Sequence, residues 1–222
     1  MKRVFASDIH VGSLESKYVK FLKMINEENP DEIYLIGDVF DLWITKFEKI
    51  LEKNFDFLKF ITYCKVPIFY VYGNHDEHVD KHFSYFGSVK FSESIDLESN
   101  GKKIRIIHGH TYDKFVENYC FLAKFVAVLR NITFKLGLDI KRLNFSFAKQ
   151  QHTKEFPKIL KAVKDRAIAD SIEYDILIMG HLHVPEHEMI NKFEYLNLGD
   201  WVTHTTYGVE ENGKFALKTY QG

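Results

Sequence analysis

Residues 176–188 read ILIMGHLHVPEHE. Ile176 to Met179 suit a strand buried on both faces, and they run straight into Gly180, His181, Leu182 and His183. One histidine at the end of a core strand is ordinarily a satisfied structural group. Two at a single turn ask for another reason, and the remaining strands supply it. VFAS (4–7) runs into Asp8-Ile9-His10, IYLI (33–36) into Gly37-Asp38 with Asp41 beyond, and IFYVY (68–72) into Gly73-Asn74-His75-Asp76. IRII (104–107) runs into His108-Gly109-His110. These strand ends deliver Asp, Asn and His at the carboxyl edge, where open α/β sheets place their ligands.

Outward from those strands, the first third alternates short β-rich runs with helical patterns. One helix is expected with Tyr18, Phe21, Leu22 and Ile25 on a face, and one continuous helix through Phe47, Ile50, Leu51 and Leu58. This is the rhythm of βαβ units. Later the rhythm changes to hairpins, signalled by Asn100-Gly101 and Asn212-Gly213 between strand-like runs. The fold class is therefore α/β, with two mixed β-sheets and helices outside them. Residues from about 112 to 171 read as an almost wholly helical insertion into a single domain spanning 1–222, because Leu122, Leu129, Ile132, Leu136, Ile140 and Leu143 recur at helical spacing.

Composition bounds the partners. The chain has 222 residues and a formal net charge of −1, so no global charge draws it to nucleic acid. The balance is local: from Lys124 to Arg166 there are eleven basic residues against three acidic ones. A basic helical block rich in Phe and Leu suits an anionic membrane surface or a ligand carrying anionic groups and acyl chains, although the same residues could pack on the core or a second subunit. The two cysteines, Cys64 and Cys120, lie in apolar stretches and read as reduced thiols. With no signal-like or membrane-spanning segment legible, a cytoplasmic protein is expected.

The mixed His, Asp and Asn set suits borderline divalent ions, Mn, Fe or Zn. It is too large for one tetrahedral site and fits a pair of ions sharing a carboxylate. Two such ions roughly 3.5–4 Å apart can hold a bridging hydroxide and clamp the oxygens of a phosphorus centre. Phosphoester hydrolysis is the chemistry this predicts.

At these residues the chain resembles the calcineurin-like metallophosphoesterases, whose signature is DxH, GDxxD, GNH(D/E), an isolated His-Gly, and GHxH. All the parts occur, between residues 8 and 183. The resemblance implies an αββα sandwich. It further implies one metal on Asp8, His10, Asp38 and His183, and a second on Asp38, Asn74, His108 and His181, with Asp38 bridging. His75 would contact the phosphate or protonate the leaving oxygen, and Asp76 would orient its ring. Asp41 is open between a helix cap and a carboxylate behind the site, and Asp200 reads as a turn residue outside the metal set. His78, His82, His152, His187 and His204 read as surface groups, and His110 as either.

Within the superfamily, GDVFDLWI, IIHGHTYD and YLNLGDWV look like the UDP-2,3-diacylglucosamine hydrolases of lipid A synthesis. That resemblance implies a pyrophosphatase reaction giving UMP and 2,3-diacylglucosamine 1-phosphate on two Mn ions, at the cytoplasmic face of the inner membrane, with the insertion forming the acyl-chain pocket. The chain departs from that group at His75, where Arg is usual, and at His110, where an acidic residue is usual. A soluble phosphodiesterase or nuclease of the same superfamily is the alternative. A non-enzymatic scaffold is the other rival, and the full set of ligand positions argues against it.

Overall fold

The computed structural model describes residues 1–83, 89–114 and 156–222. One sheet has six strands and the other five. The first contains β1 (Lys2–Ala6), β2 (Glu32–Ile36), β3 (Ile68–Val71), β4 (Val89–Ser92), β10 (Thr206–Glu211) and β11 (Lys214–Thr219), in the order β11-β10-β1-β2-β3-β4. The second contains β5 (Ser94–Ser99), β6 (Lys102–Ile107), β7 (Ile176–Met179), β8 (Glu186–Ile190) and β9 (Phe193–Asn197), in the order β5-β6-β7-β9-β8. β1 to β4 are mutually parallel, as are β6, β7 and β9, while the hairpin partners are antiparallel.

The near-continuous apolar character of these strands has a direct cause, since alternate side chains serve different cores. Val4 and Ala6 of β1, with Ile33 and Leu35 of β2, pack under α1 (Tyr18–Glu28), α2 (Phe47–Lys53) and α3 (Phe55–Tyr63). Phe5, Tyr34 and Ile36 point the other way and meet Ile104, Ile106, Ile176 and Ile178 between the sheets. Leu177 and Met179 face outward again, covered by Val163 and Ala167 of α5 (Phe156–Asp170). The layers are thus helix, sheet, sheet, helix. Each large aliphatic or aromatic side chain removed from water in this way contributes about 1.5–3 kcal/mol.

Both Asn-Gly signals form tight two-residue turns. Ser99 pairs with Lys102 across Asn100 (φ 50°) and Gly101 (φ 74°), and Glu211 pairs with Lys214 across Asn212 (φ 54°) and Gly213 (φ 76°). Two positive φ values in succession are what twist-compatible hairpin turns demand. The single helix expected through Phe47 and Leu58 is instead two, broken at Asn54 (φ −123°, ψ 39°). Its N–H closes α2 on the Ile50 carbonyl at 2.8 Å, and its own carbonyl accepts from Phe57 at 3.0 Å to open α3. A short helix α4 (Asp80–Phe83) follows the β3 loop.

Of the expected insertion, the structure describes α5 and a 3₁₀ turn at His110–Tyr112. The helical pattern over residues 122–147, Cys120, His152 and most of the basic run lie outside the described residues.

Candidate metal centre

Because β1, β2, β3, β6 and β7 pair in parallel within their sheets, their following loops leave at common edges, and the loops interlock. Asp8 N–H donates to the Gly37 carbonyl (3.1 Å), His10 N–H to the Asp38 carbonyl (2.9 Å), and His181 N–H to Asp8 Oδ2 (3.0 Å). Asp8, His10, Asp38, His181 and His183 all adopt left-handed backbone conformations, with φ between 51° and 66°. Such residues cost about 1–3 kcal/mol each and persist where surrounding structure over-determines them, as at ligand clamps. Asp, Asn and His tolerate that region better than branched residues do. Gly73 is needed for a separate reason: a Cβ there would overlap Asp38 Oδ1 and the Asp38 backbone nitrogen.

The side chains converge as three overlapping groups whose nitrogen and oxygen atoms lie within 4.8 Å of one another: Asp8–His10–His183, His10–Asp38–His75 and Asp8–Asp38–His108. His183 Nε2 stands 3.0 Å from Asp8 Oδ1, His10 Nε2 3.4 Å from His183 Nε2, and His108 Nε2 3.4 Å from Asp38 Oδ2. Asp8 and Asp38 are almost wholly buried. Asn74 Oδ1 is buried without a hydrogen bond, and Asp8 Oδ1 and His108 Nε2 meet only the neighbouring His183 and Asp38 side chains of the cluster. Burying such atoms without hydrogen bonds is costly unless something else satisfies them.

Protonation shows the same imbalance. Burial opposes charge on His108 and His183, yet the Asp38 carboxylate lifts His108 to about 9 and the Asp8 and Asp200 carboxylates lift His183 to about 10. Burial likewise opposes ionisation of Asp38, but the His75 and His108 charges hold it well below the usual carboxylate range.

The structure brings together most of the residues the sequence singles out, with three differences. Asp76 does not orient His75. Its carboxylate is sequestered, accepting from the Gly73 N–H (2.8 Å), the Val39 N–H (2.7 Å) and the Tyr70 hydroxyl (2.5 Å), so it ties the β2 and β3 loops together. The partner of the His75 ring is Asp41, whose Oδ1 takes the Nδ1 proton at 2.9 Å, while Trp43 stacks on the ring at 3.8 Å between centroids. Trp43 also donates Nε1–H to the Asn74 carbonyl at 2.7 Å.

Asp200, read from the sequence as a turn carboxylate, does hold a turn. Its Oδ1 accepts the Val202 and His204 N–H groups at 2.9 and 3.0 Å. Its Oδ2 also lies 3.4 Å from His183 Nδ1 and accepts from His204 Nδ1 at 2.9 Å, which directs His183 Nε2 inward to Asp8. The turn is anchored by Trp201, fully buried against Phe21, whose backbone N–H donates to the Asp8 carbonyl at 3.0 Å. The signal for this was LNLGDW following an apolar run, as the other site loops do. Finally, His181 stands outside the three compact groups; its Nε2 meets Asp113 Oδ2 at 3.1 Å. His82 stacks on Phe47, and His187 pairs with Glu194.

The donor set fits divalent cations. Carboxylate oxygen, a carboxamide oxygen and imidazole nitrogen are combined, the one described cysteine, Cys64, packs in the helix-side core, and Asn74 Oδ1 is buried without a hydrogen bond. Comparison with known proteins points the same way. A family model described as the calcineurin-like phosphoesterase superfamily domain matches residues 1–219. A UDP-2,3-diacylglucosamine hydrolase of Psychromonas ingrahamii is 27% identical over 98% of this chain and 96% of its own length. One from Yersinia pestis is 28% identical over 83% of each chain. Among solved structures, Yfce, a phosphoesterase from E. coli, has the same fold at a TM-score of 0.51, with 17% identity and complete coverage of both chains.

Proposed function

The chain belongs to the calcineurin-like phosphoesterase superfamily and is a metal-dependent phosphoester hydrolase, and from that premise we propose that it cleaves UDP-2,3-diacylglucosamine to UMP and 2,3-diacylglucosamine 1-phosphate. The observation that carries the chemistry is the set of overlapping carboxylate–imidazole groups sharing Asp8, His10 and Asp38. The substrate rests on the relatives, which bear that activity in their names and align along most of this chain.

In this reading Asp8, His10, Asp38 and His183 hold one divalent ion and Asp38, Asn74, His108 and His181 the other, with manganese the preferred metal. When bound, such a pair supplies Lewis acidity toward a phosphoryl oxygen and generates a nucleophile from water near neutral pH. The protein's own part is positioning and proton movement. Asp41 fixes the Nδ1 proton of His75, so Nε2 is the nitrogen turned toward Asp38, at 3.8 Å from its Oδ2. From there His75 Nε2 gives a proton to the leaving oxygen. Asp76 does not touch the substrate and serves by holding the two loops in register.

A groove of about 310 Å³ is lined by Leu160, Lys161 and Lys164 of α5 and by Leu182, Val184 and Glu186 from the segment after β7. Leu160, Leu182 and Val184 give the groove apolar walls suited to an acyl chain, while Lys161 on its rim is paired with Asp165 and Lys164 with Glu186 and Glu188; the basic run between 124 and 166 continues beyond the groove in sequence. Among the described residues no helix is long and apolar enough to cross a membrane. In the same reading the basic run would meet the lipid substrate at the anionic cytoplasmic face of the inner membrane.

The second reading, a phosphodiesterase acting on a soluble ester, is favoured by His75 standing where the lipid-cleaving group usually has Arg. The two separate cleanly. With manganese supplied, kcat/KM on UDP-2,3-diacylglucosamine should exceed that on bis(p-nitrophenyl) phosphate by at least about a hundredfold, the equivalent of roughly 2.7 kcal/mol of added transition-state binding. Equal values would remove the lipid and leave the generic esterase.

A further inference from the structure

We propose that Asp113 is the positioning residue for His181, fixing the ring so that Nε2 carries the proton and Nδ1 is left as the metal-binding nitrogen. The inference rests on His181 being a metal ligand, as in the reading above.

The argument starts from the hydrogen bond. His181 Nε2 and Asp113 Oδ2 are 3.1 Å apart, and both side chains are largely withdrawn from water, at 6% and 14% exposure. An ionised carboxylate can only accept, so the shared proton belongs to Nε2. In a neutral ring the lone pair then sits on Nδ1.

The same logic runs in the other direction at two neighbouring histidines. His108 gives its Nδ1 proton to the Ile36 carbonyl at 3.0 Å, and Asp200 lies 3.4 Å from His183 Nδ1, so both present Nε2 inward. Each of these imidazoles therefore has one nitrogen committed to an acceptor behind it, and Asp113 completes the pattern for His181 with the nitrogens exchanged. Carboxylate–histidine pairs of this kind set the tautomer and raise the basicity of the ligating nitrogen, and losing the carboxylate typically costs 10–100-fold in metal affinity.

Asp113 is itself held rigidly. Its N–H closes on the His110 carbonyl at 3.0 Å, and the preceding Tyr112 is clamped to α5 through its hydroxyl on Asp170 (2.5 Å) and through Arg166 Nη1 on its carbonyl (2.9 Å). Since the turn begins two residues beyond His108, one short segment sets a proposed ligand at its start and the brace of another at its end.

The test needs no substrate. Side-chain ¹⁵N–¹H correlation spectra of the chelated protein at mildly alkaline pH report which nitrogen of His181 bears hydrogen, and manganese or cobalt titration followed calorimetrically reports the two affinities. We expect the Nε2–H form in the native protein. In Asp113→Ala this form should lose its dominance, and one of the two metals should bind 10–100-fold less tightly. Asp113→Asn retains an acceptor oxygen and the side-chain shape; it should keep the Nε2–H form with a smaller loss of affinity, and it serves also if the alanine variant does not fold. A native His181 protonated on Nδ1, or native affinity for both metals in Asp113→Ala, would overturn the proposal. A protein inert toward every phosphoester that still showed the predicted spectra and affinities would sink the hydrolase reading and leave this one standing.

Discussion

The imidazole of His75 is held on three sides: Asp41 binds Nδ1, Trp43 covers one face, and the backbone N–H is fixed on Asp38 Oδ1 at 2.8 Å. Burial works against its protonation, but the Asp38 and Asp41 carboxylates together raise it above its ordinary value. That favours the acid form of the ring. Replacing His75 by Ala should lower kcat by about 10²–10⁴ while the metal content stays at its native level. Asp41→Asn should move the alkaline limb of the kcat profile to lower pH, because removing a negative neighbour lets His75 lose its proton sooner. An unmoved limb would take the proton-donor role away from His75. Most of this site could be read from residue types at strand ends, because chemistry-bearing side chains cluster there whatever the intervening sequence. Asp113 and the true partner of His75 could not. GNHD places Asp76 next to the histidine in sequence, but a turn that sends the carboxylate back onto Gly73 and Val39 leaves a residue from another loop to face the ring.

At the scale of elements, the legible pieces were those whose turns carry a backbone requirement. Asn100-Gly101 and Asn212-Gly213 announce their hairpins because left-handed φ at two successive positions restricts the residues that fit. The β8–β9 hairpin turns at Asn191-Lys192 with only Asn191 at positive φ (58°), and without glycine it leaves no comparable mark. The break at Asn54 escaped for a related reason: the apolar spacing continues across it, and only the cap hydrogen bonds reveal two helices. The hairpin tips also touch one another. A Cβ on Gly213 would collide with the Asn100 side chain, on a backbone at φ 76°. Gly213→Ala should therefore destabilise the fold by about 1–3 kcal/mol, seen as a lower urea midpoint at constant m-value. A midpoint equal to the native one would show that the tip is free to rearrange.

For the whole molecule, the consequence is that metal and proton compete for one cluster of buried charge. Chelated protein holds His108 and His183 at about 9 and 10, far above an unfolded histidine near 6.5. Between those limits the folded state binds more protons than the unfolded chain, so stability falls as pH rises. The chelated protein should lose melting temperature from pH 7 to pH 10, and saturating manganese should flatten that slope, because a ligating imidazole has already given up its proton. A chelated protein whose melting temperature is level across that range would mean the imidazoles are not charged against Asp8 and Asp38. The layered α/β architecture itself was open to sequence reading, since strands buried on both faces and parallel connections leave few alternatives. The expected count of two ions rests on distances between loops that are remote in sequence.

That count gives the most direct test. Purified protein saturated with manganese, then freed of loosely held ion by dialysis, is assayed for metal per chain beside the Asp38→Ala variant. The account predicts two ions in the native protein and clearly fewer in the variant, because Asp38 serves both positions. One ion or none in the native chain, or two in each protein, would contradict it.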